Sequence, residues 1–302
     1  MRHFSFRALA GIIVCTLLSC AQLQAAERFV ASVYGPVKLN GVPQRVVALD
    51  ENALDVALAL GVQPVGALAS RGGTDVPDYL KDKAGNIALV GSVREPNLEA
   101  ILNLQPDLIL ASSELPKTLY DRLSLIAPTI VPKGGSFQDW RTVNDVYALA
   151  LDKQDEGAAL RDEIDARLVA LREGLSGSPK VSVIRWNPQG PFIMSSQLFV
   201  GQLLDAVGFK PNELSTQTKK PHTDILSLEN LSKADADWIF LATLNSDGQK
   251  ALEEARKQPA FNRLGAVKND HVVSVDGQIW SSSAGYLAAH RILDDVEKAL
   301  LD

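Results

Sequence analysis

The sequence predicts an α/β protein of two doubly wound lobes joined by a long helix, with a ligand cleft between the lobes. Three observations carry this expectation. Strand-like runs alternate with helical stretches, one block of sequence recurs at a fixed offset, and an amphipathic helical segment separates the two copies.

Short β-branched or apolar runs stand at 45–49, 65–69, 107–111, 129–131, 181–186, 238–242 and 271–275. A helical stretch follows each, and Gly and Pro mark the breaks. Strands in strict alternation with helices build parallel sheets covered on both faces.

The internal echo pairs NLEAILNLQPDLILAS at 97–112 with SLENLSKADADWIFLA at 227–242, an offset of 130 without a gap. In each copy an N-capping residue (Asn97, Ser227) precedes Leu and Glu, an amphipathic helix follows, and an Asp (Asp107, Asp237) leads into a buried strand. A second echo sets Gly61-Val62-Gln63-Pro64 beside Gly208-Phe209-Lys210-Pro211, each at a helix end, where Gly supplies a left-handed cap and Pro prevents continuation. The same construction is therefore expected in both lobes.

Between the copies, Leu160, Ile164, Leu168, Leu171 and Leu175 form one apolar stripe at helical spacing. Glu163 and Arg167 are spaced to pair on the solvent side. The expected division is a leader at 1–26, an N-terminal lobe at 27–137, a helical strut at 138–175 and a C-terminal lobe at 176–302.

Compartment follows from the first residues. Arg2, His3 and Arg7 precede an apolar run from Ala8 to Leu18, the order of a secretory signal peptide, and the run is too short to span a bilayer. Export to the periplasm is expected, with cleavage after Leu23-Gln24-Ala25-Ala26 preferred over lipid attachment at Cys20. Both cysteines, Cys15 and Cys20, fall in this leader, so a mature chain of about 275 residues has neither a disulfide nor a thiolate metal site. Loss of Arg2 and Arg7 takes the formal charge from −6 to about −8, which argues against nucleic acid as a partner.

Two open sheets side by side leave a crevice beyond the carboxyl ends of their strands, and ligands of α/β folds bind there. At this point the chain resembles the helical-backbone class of substrate-binding proteins of ABC importers for ferric siderophores and cobalamin. PQRVVAL at 43–49, GSVREPNLEAI at 91–101, LSLENL at 226–231 and VDGQIWSSSAGYLAAHRILDDV at 275–296 look like its ferric-citrate and ferric-hydroxamate members. The resemblance implies a rigid inter-lobe helix, a monomer that captures a ferric siderophore and delivers it to an inner-membrane permease, and an acidic docking residue on each lobe. By position these are Glu99 and Glu229. A first-turn acid also suits the helix dipole, so that bland reading stands beside docking.

A siderophore already saturates its iron with hard oxygen donors, so the protein needs cations and aromatic walls rather than metal ligands or a cofactor. Arg71, Arg94 and Arg185 at strand ends are the expected contacts to an anionic chelate such as a ferric carboxylate. Trp186, Trp280 and Tyr286 are the expected aromatic contacts. Val93 occupies the place where hydroxamate members carry arginine, with Arg94 one residue later. Cobalamin or haem is the alternative ligand. Direct metal binding is disfavoured because only His222, His271 and His290 follow the leader, far apart in sequence. An exported enzyme is disfavoured because there is no GxSxG, HExxH or phosphate loop, and Asp294-Asp295 reads as a solvated helix face.

Overall fold

The computed structural model describes residues 27–134 and 139–301, so the expected leader, both cysteines and the boundary between the first lobe and the strut lie outside the described residues. The chain opens with an antiparallel hairpin, β1 (Glu27–Val30) and β2 (Val37–Asn40). The first lobe holds β3 (Val46–Leu49), β4 (Gly66–Ala69), β5 (Ala88–Ser92), β6 (Leu108–Ala111) and β7 (Thr129–Ile130), all parallel, in the order β5-β4-β3-β6-β7. The second holds β8 (Lys180–Asn187), β9 (Gly190–Ile193), β10 (Lys210–Pro211), β11 (Trp238–Thr243) and β12 (Val272–Asp276), in the order β10-β8-β11-β12 with β9 antiparallel to β8.

The echo is thus one topology used twice: β4-β3-β6-β7 in the first sheet matches β10-β8-β11-β12 in the second. Its Asp has the same task in both copies. Asp107 accepts from Gln44 N (2.7 Å) and Arg45 N (2.9 Å) just ahead of β3, and Asp237 accepts from Lys180 N (2.7 Å) at the start of β8. Each carboxylate therefore stitches the strand it precedes to the central neighbour. The second echo also holds: Gly61 and Gly208 end their helices with φ of +74° and +110°, a region costly for any residue with a Cβ. The copies differ in one respect, since Leu98–Asn103 is α-helical while Leu228–Ala234 is a 3₁₀ helix.

Strand alternation divides the apolar side chains into a shared core and two outer ones. Val46, Ala48, Leu108 and Leu110 of the first sheet and Val181, Val183, Phe240 and Ala242 of the second belong to one continuous core with the long helices. Val47, Leu49, Ile109 and Ala111 face an outer core of their own, as Ile184, Ile239 and Leu241 do in the second lobe.

The expected strut is two helices, Trp140–Leu151 and Gln154–Gly174, broken where Asp152 adopts a left-handed φ of +62°. Ile164 and Leu168 are buried, and Leu160, Leu171 and Leu175 pack at the margin, as the stripe predicts. The expected Glu163–Arg167 pair does not form. Arg167 reaches the C-terminal helix Tyr286–Leu301 instead, at Asp294 (2.8 Å) and Glu297 (3.2 Å), because that helix packs along the strut and offers better-placed carboxylates. The same helix returns to the first lobe. Asp55, fully buried on the helix Glu51–Ala59, accepts from Leu287 N and Ala288 N (both 2.9 Å) and so satisfies its first-turn donors.

Candidate ligand-binding cleft

The turn beyond β4 and the end of β8 bring Arg71 and Arg185, one from each lobe, near enough for their charges to interact. Arg71 sits in the turn Ser70–Gly73, where Gly73 N donates to Ser70 O (3.0 Å) and Gly72 supplies a φ of +77°. Glu51, the first residue of the helix Glu51–Ala59, accepts from Arg71 N, which fixes the backbone of the turn. From the second lobe Gln278 clasps the same turn. Its Nε2 donates to Ser70 Oγ (3.0 Å) and its Oε1 accepts from Asp78 N (3.1 Å).

Arg185 lies near the end of β8 on the face continued from Val181 and Val183, and only 9% of it is exposed. Its Nε is buried without a hydrogen-bond partner. Phe192 on β9 stands directly opposite, with the guanidinium 5.5 Å from the ring centroid. The Phe192 ring in turn packs on His222 (4.5 Å). Burial, and then the positive charge of Arg71, press the Arg185 guanidinium below its usual pKa. Among the described residues no carboxylate lies within ion-pair distance of Arg71, Arg94 or Arg185. A buried cation facing a second cation is a costly arrangement unless an anion enters between them.

Arg94 is exposed at the tip of the tight turn Ser92–Glu95. The turn follows β5, whose Ser92 pairs with Ala69 of β4. The three aromatic expectations are corrected. Trp186 alternates to the opposite face from Arg185 and packs in the outer core against Phe261 (6.3 Å). Trp280 is fully buried, stacked on Phe240 (4.4 Å), with its Nε1 donating to Asp295 (2.7 Å). It stands on the helix Gly277–Ser282 rather than at a strand end. Tyr286 is 1% exposed and sets its ring edge against Trp140. Asp295 is correspondingly not a solvated residue, for burial raises its pKa. The aromatic side chain beside the cleft arginine is Phe192.

The base of the cleft also carries acids that a search for cations overlooks. Asp50 and Glu51 follow β3 directly and are largely buried. Burial raises the Asp50 carboxyl to about 6 against the lowering effect of a backbone hydrogen bond and Arg71. Burial raises Glu51 to about 7, opposed by its bond to Arg71 N and by the Arg71 charge. The signal for them was their position at a strand end, where the arginines were sought.

Glu99 and Glu229 are exposed in the first turns of their helices, at equivalent points of the two copies, with no ion pair among the described residues. No group of three or more His, Cys, Asp or Glu among the described residues could hold a metal ion, and no helix among them is long and apolar enough to cross a membrane. His222, His271 and His290 are spread apart, against Phe192, Trp238 and Arg167 respectively.

A family profile described as Periplasmic binding protein matches residues 46–279. The probable siderophore-binding lipoprotein YfiY of Bacillus subtilis is 34% identical over 270 residues, covering 86% of this chain and 83% of its own. The achromobactin-binding periplasmic protein of Dickeya dadantii is 32% identical over 267 residues, covering 85% and 86%. Among solved structures, Staphylococcus aureus SirA complexed with staphyloferrin B superposes with a TM-score of 0.80 at 28% identity, over 91% of this chain and 98% of that one. The profile spans both sheets and the helices between them, and these relatives are binding proteins, so the chain belongs to the periplasmic binding protein family.

Proposed function

We propose that this chain captures a ferric siderophore in the inter-lobe cleft and delivers it to an inner-membrane ABC permease. The ligand is read as an anionic chelate, such as a ferric carboxylate. One observation carries the reading: Arg185 is desolvated, faces Arg71 across the cleft and has no carboxylate partner among the described residues. The relatives' names point the same way, for they include an Fe(3+)-citrate-binding protein and an achromobactin-binding protein. Nothing in the cleft asks for catalysis, and we read the protein as a periplasmic, monomeric carrier.

Calorimetric titration against a panel of ferric chelates, cobalamin and haem tests the ligand class. Saturable binding of an anionic ferric chelate is expected, and a response only to cobalamin or haem would overturn the reading. Arg71→Ala or Arg185→Ala should each weaken that binding by about one to two decades, the value of a charged hydrogen bond of roughly 1.5–3 kcal/mol. Docking is assigned to Glu99 and Glu229. The double Lys variant should keep ligand affinity and lose uptake in cells, because like charges at an interface repel. Normal uptake by the folded variant would remove these residues from the docking surface.

A further inference from the structure

The buried acids beside Arg71 have no role in a cleft that merely attracts anions; two carboxylates there would cancel the cations that the ligand needs. Their geometry resolves the conflict. Glu51 spends one oxygen on Arg71 N rather than on the Arg71 guanidinium, and no second hydrogen bond reaches its other oxygen from a described residue. Among the described residues neither Arg71 nor Arg185 forms an ion pair, although the Glu51 carboxyl meets the Arg71 backbone. Such an arrangement fits an acid that is neutral when the site is filled.

We propose that Glu51, with Asp50 beside it, takes up a proton as an anionic chelate enters between Arg71 and Arg185, so that capture is coupled to protonation of the cleft floor. This rests on the proposed function, because it requires an anionic ligand at these arginines.

The groups facing Glu51 set the direction. Asp50 from the end of β3 opposes its ionisation, Arg71 from the end of β4 favours it, and Tyr79 feels its charge. Asp50 is itself influenced by Arg71, by Glu114 beyond β6, and by Tyr147 of the helix Trp140–Leu151, whose hydroxyl is 3.5 Å from Asp50 Oδ2. Asp55, one turn beyond Glu51 on the helix Glu51–Ala59, is committed to the C-terminal helix and to Tyr79. An incoming anion adds negative charge beside Glu51 and partly occupies the positive charge of Arg71. Both effects favour the protonated form. Glu51 is buried, and burial raises its carboxyl to about 7, so an anion that raises it further leaves the bound state holding more protons than the free one near that pH. The two carboxyls are adjacent, so the proton belongs to the pair. Affinity must then rise as pH falls, by at most about tenfold per pH unit for one linked proton. The neutral acid also gains an O–H that can donate to an outer oxygen of the chelate, which an ionised one would repel.

The test is calorimetry of ferric dicitrate binding in buffers of different ionisation enthalpy, across about pH 6 to 8, on the wild type, Glu51→Gln and Asp50→Asn. Comparing proteins with one chelate cancels the protonation of the chelate itself. The wild type should take up a fraction of a proton that Glu51→Gln does not, and its dissociation constant should climb with pH several-fold more steeply than that of the variant. Infrared difference spectra of the wild type should gain a protonated-carboxyl band on chelate addition, a readout that does not depend on any variant folding. Saturable binding with equal proton uptake in all three proteins and no new carboxyl band would overturn the inference alone. No saturable binding of any anionic ferric chelate would overturn the proposed function and this inference with it.

Discussion

Arg185 and Trp186 leave β8 on opposite faces, because successive side chains of a strand alternate. Only one of the two can point to the side proposed as the cleft, and that is the charged residue, with Trp186 filling the outer core. Trp186→Phe should accordingly leave the dissociation constant for a ferric chelate unchanged while lowering stability by about 1 kcal/mol, read from chelate titration and denaturant melts. A large loss of affinity with stability intact would put Trp186 back in the cleft. Tyr286 makes the same point from another side. Its hydroxyl is buried without a partner, so Tyr286→Phe should be neutral or slightly stabilising in thermal melts.

At the scale of elements, the doubled Asp provides a graded test of the echo. Asp107 holds two backbone donors of the neighbouring strand and Asp237 holds one. Asp107→Ala should destabilise by about 1 kcal/mol and Asp237→Ala by about half of that, measured by urea unfolding. The central strands were legible because each is an uninterrupted apolar run bounded by Gly, Pro or Asp. β10 was not, since it is only Lys210–Pro211 and carries no pattern, and β9 was not, since its pairing depends on the turn from Asn187 to Gly190. The strut's apolar stripe was readable but its break was not: Asp152 is a polar residue in a left-handed conformation, held by Arg28 at 3.1 Å from 124 residues away, and no local signal announces that partner. Arg71 and Arg185 could be named from strand ends. Phe192 required the register of β9 against β8, which is tertiary information.

For the molecule as a whole, Asp50, Glu51 and Asp55 have folded-state pKa values of about 6, 7 and 6, all above their ordinary range through burial. An acid whose pKa is raised by folding favours the native state at low pH and loses that contribution as pH rises through the folded value. Thermal stability should therefore be greater near pH 5 than near pH 8, and the difference should shrink in Glu51→Gln. A flat profile across this window would show that the carboxyls are better solvated than their packing implies. Asp55 has one more consequence, through the donors it satisfies on the C-terminal helix. Those partners lie 232 and 233 residues downstream, so the first lobe cannot seal its own interior until nearly the last residues of the chain have been made. A newly synthesised chain therefore keeps the Asp55 carboxylate without its two backbone donors until the C-terminal helix has been made. A chain ending at Gly285 should stay protease-sensitive throughout its first lobe, although every strand of that lobe is present.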